Sequence, residues 1–282
     1  MIMIYITGKE GFLASKLAFA FRDKVVLTSL NEEDEYYLNL ENACDFDYSR
    51  LNATDIVYHL AGISSPDECE NNFEKTTKIN VDGTIYFLNA CLERGARVVF
   101  FSSDTVYGDG EQDYNENSMC KPIGNYASMK YAVETHFKGN SRLKIFRLSY
   151  IFSREDKYTA YLISCHKNDT EAEVFHPFLR NVVYLKDLLD ACANIDEKWD
   201  SLDSQVVNIC GPQICSRVEI AKMLKNNIGN SFKYRIVYPG DAFYKARPKI
   251  INVSSMYLKI LLGRKEYSIE DALKIELQEM SL

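Results

Sequence analysis

Residues 4–14 read Ile4-Tyr5-Ile6-Thr7-Gly8-Lys9-Glu10-Gly11-Phe12-Leu13-Ala14. An apolar run enters a turn with two glycines. The turn enters Leu13–Phe21, where apolar residues recur at 13, 17, 18 and 21. That spacing is helical, so the stretch reads as strand, glycine turn, helix. Gly8 permits the tight turn, Gly11 lets backbone approach a bound group, and Ala14 is small enough for close helix–strand packing. The helix N-terminus offers free N–H groups and the positive end of its dipole. Such a turn cradles a diphosphate, and in a first strand–helix unit it points to a dinucleotide site. Gly8, Lys9, Gly11, Phe12 and Leu13 are the expected contacts there.

The pattern repeats outward from this turn. Strands are expected at Met1–Thr7, Lys24–Thr28, Asp55–Leu60, Arg97–Ser102 and Leu143–Leu148. Helices are expected at 13–21, 80–94 and 126–137. Strands alternating with helices predict an α/β fold with a parallel sheet covered on both faces. Beyond about residue 150 the pattern loosens. Helices are expected at 157–167, 185–195, 216–227 and 268–280, and short strands near 173–176, 182–185, 205–209 and 233–237. The expected division is a dinucleotide-binding domain over 1–155, to which segments near 182–210 return, and a smaller α/β substrate lobe over 156–282.

Composition narrows the functional classes. The net charge is −7 and no block of five or six basic residues exists, so nucleic acid is not the expected partner. The N-terminal apolar run is too short for a signal peptide or membrane span, and no membrane partner is expected. The eight cysteines form no C-x-x-C pair, which reads as reduced thiols in a cytoplasmic protein. The four histidines, His59, His136, His166 and His176, are isolated, so no metal site is expected.

The end of the second strand bears on cofactor choice. A carboxylate there binds the adenosine ribose and repels a 2′-phosphate. Here Val25-Val26-Leu27-Thr28 runs into Ser29-Leu30-Asn31, and acids begin only at Glu32. Ser29 tolerates a phosphate and Lys9 can approach it, which favours NADP. With the strand end set a few residues later, Glu32 or Glu33 holds the ribose and NAD is preferred.

A second group of residues suggests chemistry. Asn125-Tyr126-Ala127-Ser128-Met129-Lys130 places Tyr126 and Lys130 on one helix face. An ammonium beside a phenol, with a cationic nicotinamide ring nearby, lowers the phenol pKa. Such a tyrosine passes a proton to or from a carbinol oxygen while hydride moves. Ser103, at the end of the preceding strand, supplies a second hydroxyl to polarise that oxygen.

With these residues in place the sequence resembles the extended short-chain dehydrogenase/reductase family, the nucleotide-sugar epimerases, dehydratases and reductases. Thr7–Phe12 resembles its cofactor turn, and His59-Leu60-Ala61-Gly62 resembles its H-x-A-[AG] strand end beside the cofactor. Asn80-Val81-Asp82-Gly83-Thr84 resembles its N-V-x-G-T helix start, and Ser102–Gly108 with Tyr126-x-x-x-Lys130 resembles its catalytic segments. Leu179–Leu188 and Arg247-Pro248 resemble its late motifs. The resemblance implies a Rossmann-like doubly wound sheet. It implies Ser103, Tyr126 and Lys130 as the catalytic set, with Asp104 as substrate contact or proton donor. It implies Leu60, Ala61, Gly62 and Asn80 near the cofactor, with Lys130 also on the nicotinamide ribose. Asn80 is equally compatible with a helix cap, and Asp187 reads as a cap of its helix. Arg180 and Arg247 would grip the diphosphate of a nucleotide-diphospho-sugar, and a homodimer through helices 80–94 and 125–138 is expected.

Residues after Ser103 separate the reactions of that family. Its 4,6-dehydratases resemble T-D-E-V-Y-G, where the glutamate removes the C5 proton; here Thr105 stands in its place. A threonine hydroxyl is too weak a base for that step. Gly8-Lys9-Glu10-Gly11 and Ser103-Asp104-Thr105-Val106-Tyr107 resemble the dTDP-4-dehydrorhamnose reductases, and Tyr150 matches an aromatic found there. The expected substrate contacts are Ser103, Asp104, Thr105, Tyr150, Arg180 and Arg247. The expected function is NAD(P)H-dependent reduction of a 4-keto (deoxy)sugar nucleotide. The alternatives are a 4-epimerase with tightly bound NAD and a nonenzymatic NAD(P) sensor.

Overall fold

The computed structural model describes residues 2–229 and 231–278. Among them lie the strands β1 (Ile4–Ile6), β2 (Val25–Leu27), β3 (Ile56–His59), β4 (Arg97–Ser103), β5 (Gly110–Tyr114), β6 (Leu143–Leu148), β7 (Tyr150–Phe152), β8 (Ala172–Phe175), β9 (Leu179–Tyr184), β10 (Val206–Ile209), β11 (Ile214–Ser216), β12 (Tyr234–Val237) and β13 (Ile250–Val253). The helices are α1 (Phe12–Phe21), α2 (Pro66–Asn71), α3 (Phe73–Thr77), α4 (Thr84–Glu93), α5 (Asn125–His136), α6 (Lys157–Lys167), α7 (Leu185–Lys198), α8 (Arg217–Ile228), α9 (Asp241–Tyr244), α10 (Leu258–Leu262) and α11 (Ile269–Gln278). Met1 of the first expected strand and residues 279–280 of the last expected helix lie outside the described residues.

Six parallel strands form the main sheet in the order β10-β6-β4-β3-β1-β2. Their side chains alternate between two cores. Ile6, Tyr58, Val99, Phe101 and Phe146 face α1, α7 and α10, while Tyr5, Val57, Val98, Phe100 and Ile145 face α4 and α5. Both faces are therefore buried, as the continuous apolar runs of these strands predict. At about 1.5–3 kcal/mol for each large apolar side chain taken from water, these layers carry much of the fold's stability. The sheet is Rossmann-like, and its strand order reverses between β1 and β3. In open α/β sheets ligands bind outside the carboxyl ends of the strands at such a reversal.

A second sheet, β11-β9-β13-β5 with β7 beside β9, lies past the end of β4, and β8 pairs β12 separately. The helix expected over 80–94 is entered through a π-turn at Lys78–Gly83, so Asn80 sits in a widened turn and caps nothing. Asp187 is fully buried in the first turn of α7. It accepts from Arg264 Nη1 at 2.7 Å and from the Tyr267 amide at 2.9 Å. It fastens α7 to the 264–267 segment, and the N-cap residue of α7, Tyr184, supplies no side-chain cap.

Candidate active site

The glycine turn is tightly set. Gly8 has φ +83°, and a Cβ there would stand 3.3 Å from Ala61 Cα; a Cβ on Gly11 would stand 3.2 Å from the Gly8 carbonyl oxygen. Thr7 ties the ends of β1 and β3 together, its Oγ1 accepting from the Leu60 and Ala61 amides at 3.0 and 2.9 Å. Gly62 follows, and Asn80 clamps the next residue, accepting from Ile63 N at 2.8 Å and donating to its carbonyl at 2.9 Å. Helix α1 begins with no side-chain cap and no acid in its first turn, and Phe12 and Leu13 are its first residues. Its N-terminal amides are thus left for an anion, which fits the diphosphate of a dinucleotide.

Ser29 is buried, and its Oγ accepts from Asn31 N at 2.9 Å, turning the chain. The acid that returns to the turn is Asp34, whose carboxylate pairs Lys9 Nζ at 3.2 Å. The Ser29 hydroxyl and then Lys9 hold the Asp34 carboxyl below its usual range. Neither Glu32 nor Glu33 makes this contact; the chain turns after Asn31, and its Tyr36 carbonyl and Leu38 amide return to Ser29.

Where β4 ends, Asp104–Tyr107 form a 3₁₀ turn that follows Ser103. Ser103 Oγ accepts from the Thr105 amide at 3.2 Å and from Thr105 Oγ1 at 3.0 Å, and reaches Asp104 Oδ1 at 3.3 Å. Ser149 Oγ lies 3.0 Å from Asp104 Oδ2 and 2.5 Å from the Asn181 carbonyl oxygen. Burial pushes the Asp104 carboxyl up, against the nearby Arg180 charge and the hydrogen bonds from Ser149 and Ser103.

Tyr126 and Lys130 follow on one face of α5. Lys130 Nζ donates to the Phe101 carbonyl at 2.8 Å and stands over the Phe100 ring at 4.8 Å. Burial lowers its pKa to about 8, partly countered by Glu134. The Tyr126 phenol is held above its ordinary value, first by burial and then by Cys69 and Asp104. The expected lowering by Lys130 is not found: every cause acting on the Tyr126 phenol raises it. His59, beneath, is pushed down to about 3 by burial and is neutral.

The position of Lys130 has a consequence for stability. An unfolded lysine titrates near 10.5, so below pH 8 the folded chain carries a charge that it holds poorly. The unfolded state binds more protons between about 8 and 10.5, and stability rises with pH across that window. Lys130→Met is therefore expected to raise stability at pH 7 by about 1–3 kcal/mol. The gap should narrow as pH climbs past 8. Urea unfolding at pH 7 and pH 10 measures both; a variant less stable than the parent at pH 7 contradicts the assignment.

A cleft of about 260 Å³ is lined by Ser103, Asp104, Thr105 and Tyr126 together with Tyr150, Phe178, Arg180 and Arg247. Tyr150 also reaches Asp156 Oδ1 at 2.6 Å. Arg180 is buried over Phe178 and donates to the carbonyls of Leu179, Lys249 and Pro248. Arg247 pairs with Asp67 at 2.6 Å. Two further residues escaped sequence reading. Glu134 continues the face of Tyr126 and Lys130 at four-residue spacing, a signal that was available, and pairs Arg147 of β6 through three contacts of 2.5–3.1 Å. Arg217 also lines the cleft, and it lies in no motif.

Among the described residues no cluster of three or more His, Cys, Asp or Glu could hold a metal, and no helix is long and apolar enough to cross a membrane. A curated relative, an ADP-L-glycero-D-manno-heptose-6-epimerase of Brachyspira hyodysenteriae, is 23% identical over 276 residues, covering 84% of this chain and 85% of that protein. The crystal structure of a hypothetical dTDP-4-dehydrorhamnose reductase from Sulfolobus tokodaii matches with a TM-score of 0.81 at 21% identity, over 96% of this chain and 99% of that one. MoeE5 in complex with UDP-glucuronic acid and NAD matches with a TM-score of 0.75 at 20% identity, over 99% of this chain and 100% of that one. These two likenesses show the shared fold. A family profile described as the RmlD substrate-binding domain matches residues 2–255. The chain belongs to that family, within the extended short-chain dehydrogenases/reductases.

Proposed function

We propose that the protein reduces a 4-keto sugar nucleotide with a reduced nicotinamide cofactor. One observation carries the choice of reaction. The one carboxylate lining the cleft among the described residues, Asp104, is buried and already engaged by the Ser103 and Ser149 hydroxyls. Thr105, beside it, is no base. Nothing lining the cleft is suited to take the C5 proton that dehydration requires, whereas carbonyl reduction needs only a proton donor.

When bound, the reduced nicotinamide supplies hydride to the carbonyl carbon. Tyr126, kept protonated by its burial, donates the proton to the oxygen. Ser103 hydrogen-bonds the same oxygen, its hydroxyl set in place by Thr105. Lys130 holds positive charge beneath the site while anchored to the Phe101 carbonyl. Gly8, Gly11 and the start of α1 hold the cofactor diphosphate, with Leu60, Ala61 and Gly62 along its path and Asn80 keeping that loop in place. The Lys9–Asp34 pair moves the cofactor reading from NADP toward NAD, since a charged carboxylate at the turn opposes a 2′-phosphate. Arg180 and Arg247 face the substrate diphosphate.

The test supplies NADH or NADPH with a panel of dTDP- and UDP-4-keto-6-deoxysugars. Loss of nicotinamide absorbance with at least one is expected, faster with NADH. No loss across the panel rejects the reading. Sugar conversion without net cofactor oxidation would instead indicate epimerisation.

A further inference from the structure

Arg217 is the first residue of α8, inside the capping box formed by Ser216 and Glu219. Its guanidinium carbon lies 4.9 Å from the ring centre of Tyr158 and 4.5 Å from that of Phe178. Phe178 also receives Arg180, at 4.4 Å. Two guanidinium groups thus share one ring at the cleft wall, close enough that Arg217 helps to push the Arg180 pKa down. Stacking fixes the planes of both groups but supplies no counter-charge.

The three cleft arginines differ in what already satisfies them. Arg247 has the Asp67 carboxylate. Arg180 has three backbone carbonyls and the nearby charges of Asp104 and Asp109. Arg217 Nε is buried without a hydrogen-bond partner, and no ion pair among the described residues engages that side chain. A buried donor lacking an acceptor is costly, and a ligand oxygen relieves the cost. Two neighbouring cations match the two charges of a diphosphate better than a single carboxylate. A planar fork also fits phosphate oxygens in pairs.

We infer that Arg217 is the principal contact for the substrate's diphosphate, ahead of Arg180 and Arg247. The inference rests on the nucleotide-sugar reading above and names the residue that anchors such a substrate. It places the anchor on α8, in the wall of the same cleft that Ser103 and Tyr126 line, so that a diphosphate held there leaves the sugar in the cleft with the two hydroxyls.

The test measures calorimetric affinities of UDP, dTDP, GDP and ADP for the intact protein, takes the tightest, and repeats it with Arg217→Gln and Arg247→Gln. The matching free nucleoside and NADH are the controls. Arg217→Gln is expected to weaken the diphosphate about 10- to 100-fold, more than Arg247→Gln does, and to leave nucleoside and NADH affinity unchanged. Equal loss of nucleoside and diphosphate would mean that Arg217 only shapes the pocket, and overturns the inference. So does an unchanged diphosphate affinity. If Arg217→Gln does not fold, Arg217→Lys decides the matter: it keeps the charge and loses the fork, so an undiminished affinity counts against the inference. A parent protein that binds none of the four nucleotides rejects the nucleotide-sugar reading itself, which separates the two failures.

Discussion

Tyr126→Phe is expected to lower turnover of a 4-keto sugar nucleotide about 10²- to 10⁴-fold, the range that a positioned proton donor contributes. The substitution removes one oxygen from the cleft wall and leaves the ring in place. Nucleotide and cofactor affinities should therefore change little, and the loss should fall on kcat. The pH profile sharpens the expectation. Tyr126 stays protonated through the neutral range because burial holds its proton. Lys130 has a pKa of about 8 in the free protein. It is charged below that value and loses its charge as pH rises through it. The profile of kcat/KM, which reports the free enzyme, should therefore fall on its alkaline side near pH 8. Steady-state kinetics of parent and variant between pH 6 and 10 measures both effects. A phenylalanine variant retaining a tenth of the parent's turnover would remove Tyr126 from the chemistry.

Glu134→Ala is expected to destabilise the protein by about 3–5 kcal/mol. Arg147 and Glu134 are both buried and meet through three contacts. The guanidinium also lies 4.8 Å from the Tyr107 ring centre, and its Nη1 is already buried without a partner. Removing the carboxylate leaves a buried charge with nothing to offset it, and that loss exceeds what the pair itself contributes. Glu134→Leu with Arg147→Met should recover much of the stability, because the uncompensated charge is then gone. Urea denaturation of the two proteins decides this. A single variant within 1 kcal/mol of the parent would show that water reaches Arg147. Because Glu134 lies one turn from Lys130, the single variant should also lower the Lys130 pKa further, moving the alkaline limb of the activity profile downward.

The parts that were legible in the sequence are those whose signal is local. The strands of the main sheet are short apolar runs because both their faces are buried, and β6 and α6 lie where their runs and periodicity place them. The glycine turn and the Tyr126–Lys130 spacing are likewise written in adjacent residues. What escaped is set by distant contacts. Strand β5, Gly-Glu-Gln-Asp-Tyr, has no apolar pattern and forms because β13 pairs with it. Strand β9 begins at Leu179 and not at Val182, since Arg180 and Asn181 are buried polar residues that period-two reasoning rejects. Helices α2 and α3 carry no apolar stripe, and α2 is started by Ser65 and Pro66. At the site, Asp34 meets Lys9 only because the chain turns after Asn31, and Arg217 joins the cleft only because β11 pairs β9. No spacing along the chain encodes either contact.

The central claim is that Tyr126 protonates an oxygen while a reduced nicotinamide delivers hydride to the carbonyl carbon at C4. The most direct measurement supplies cofactor deuterated at nicotinamide C4, as both NADH and NADPH and with either face labelled, together with the 4-keto sugar nucleotide that the panel identifies. Mass spectrometry then reads the product. The account predicts one deuterium at sugar C4 for each cofactor oxidised with one labelled face, and none with the other. A product that forms without deuterium from either face, or without consumption of reduced cofactor, would contradict it.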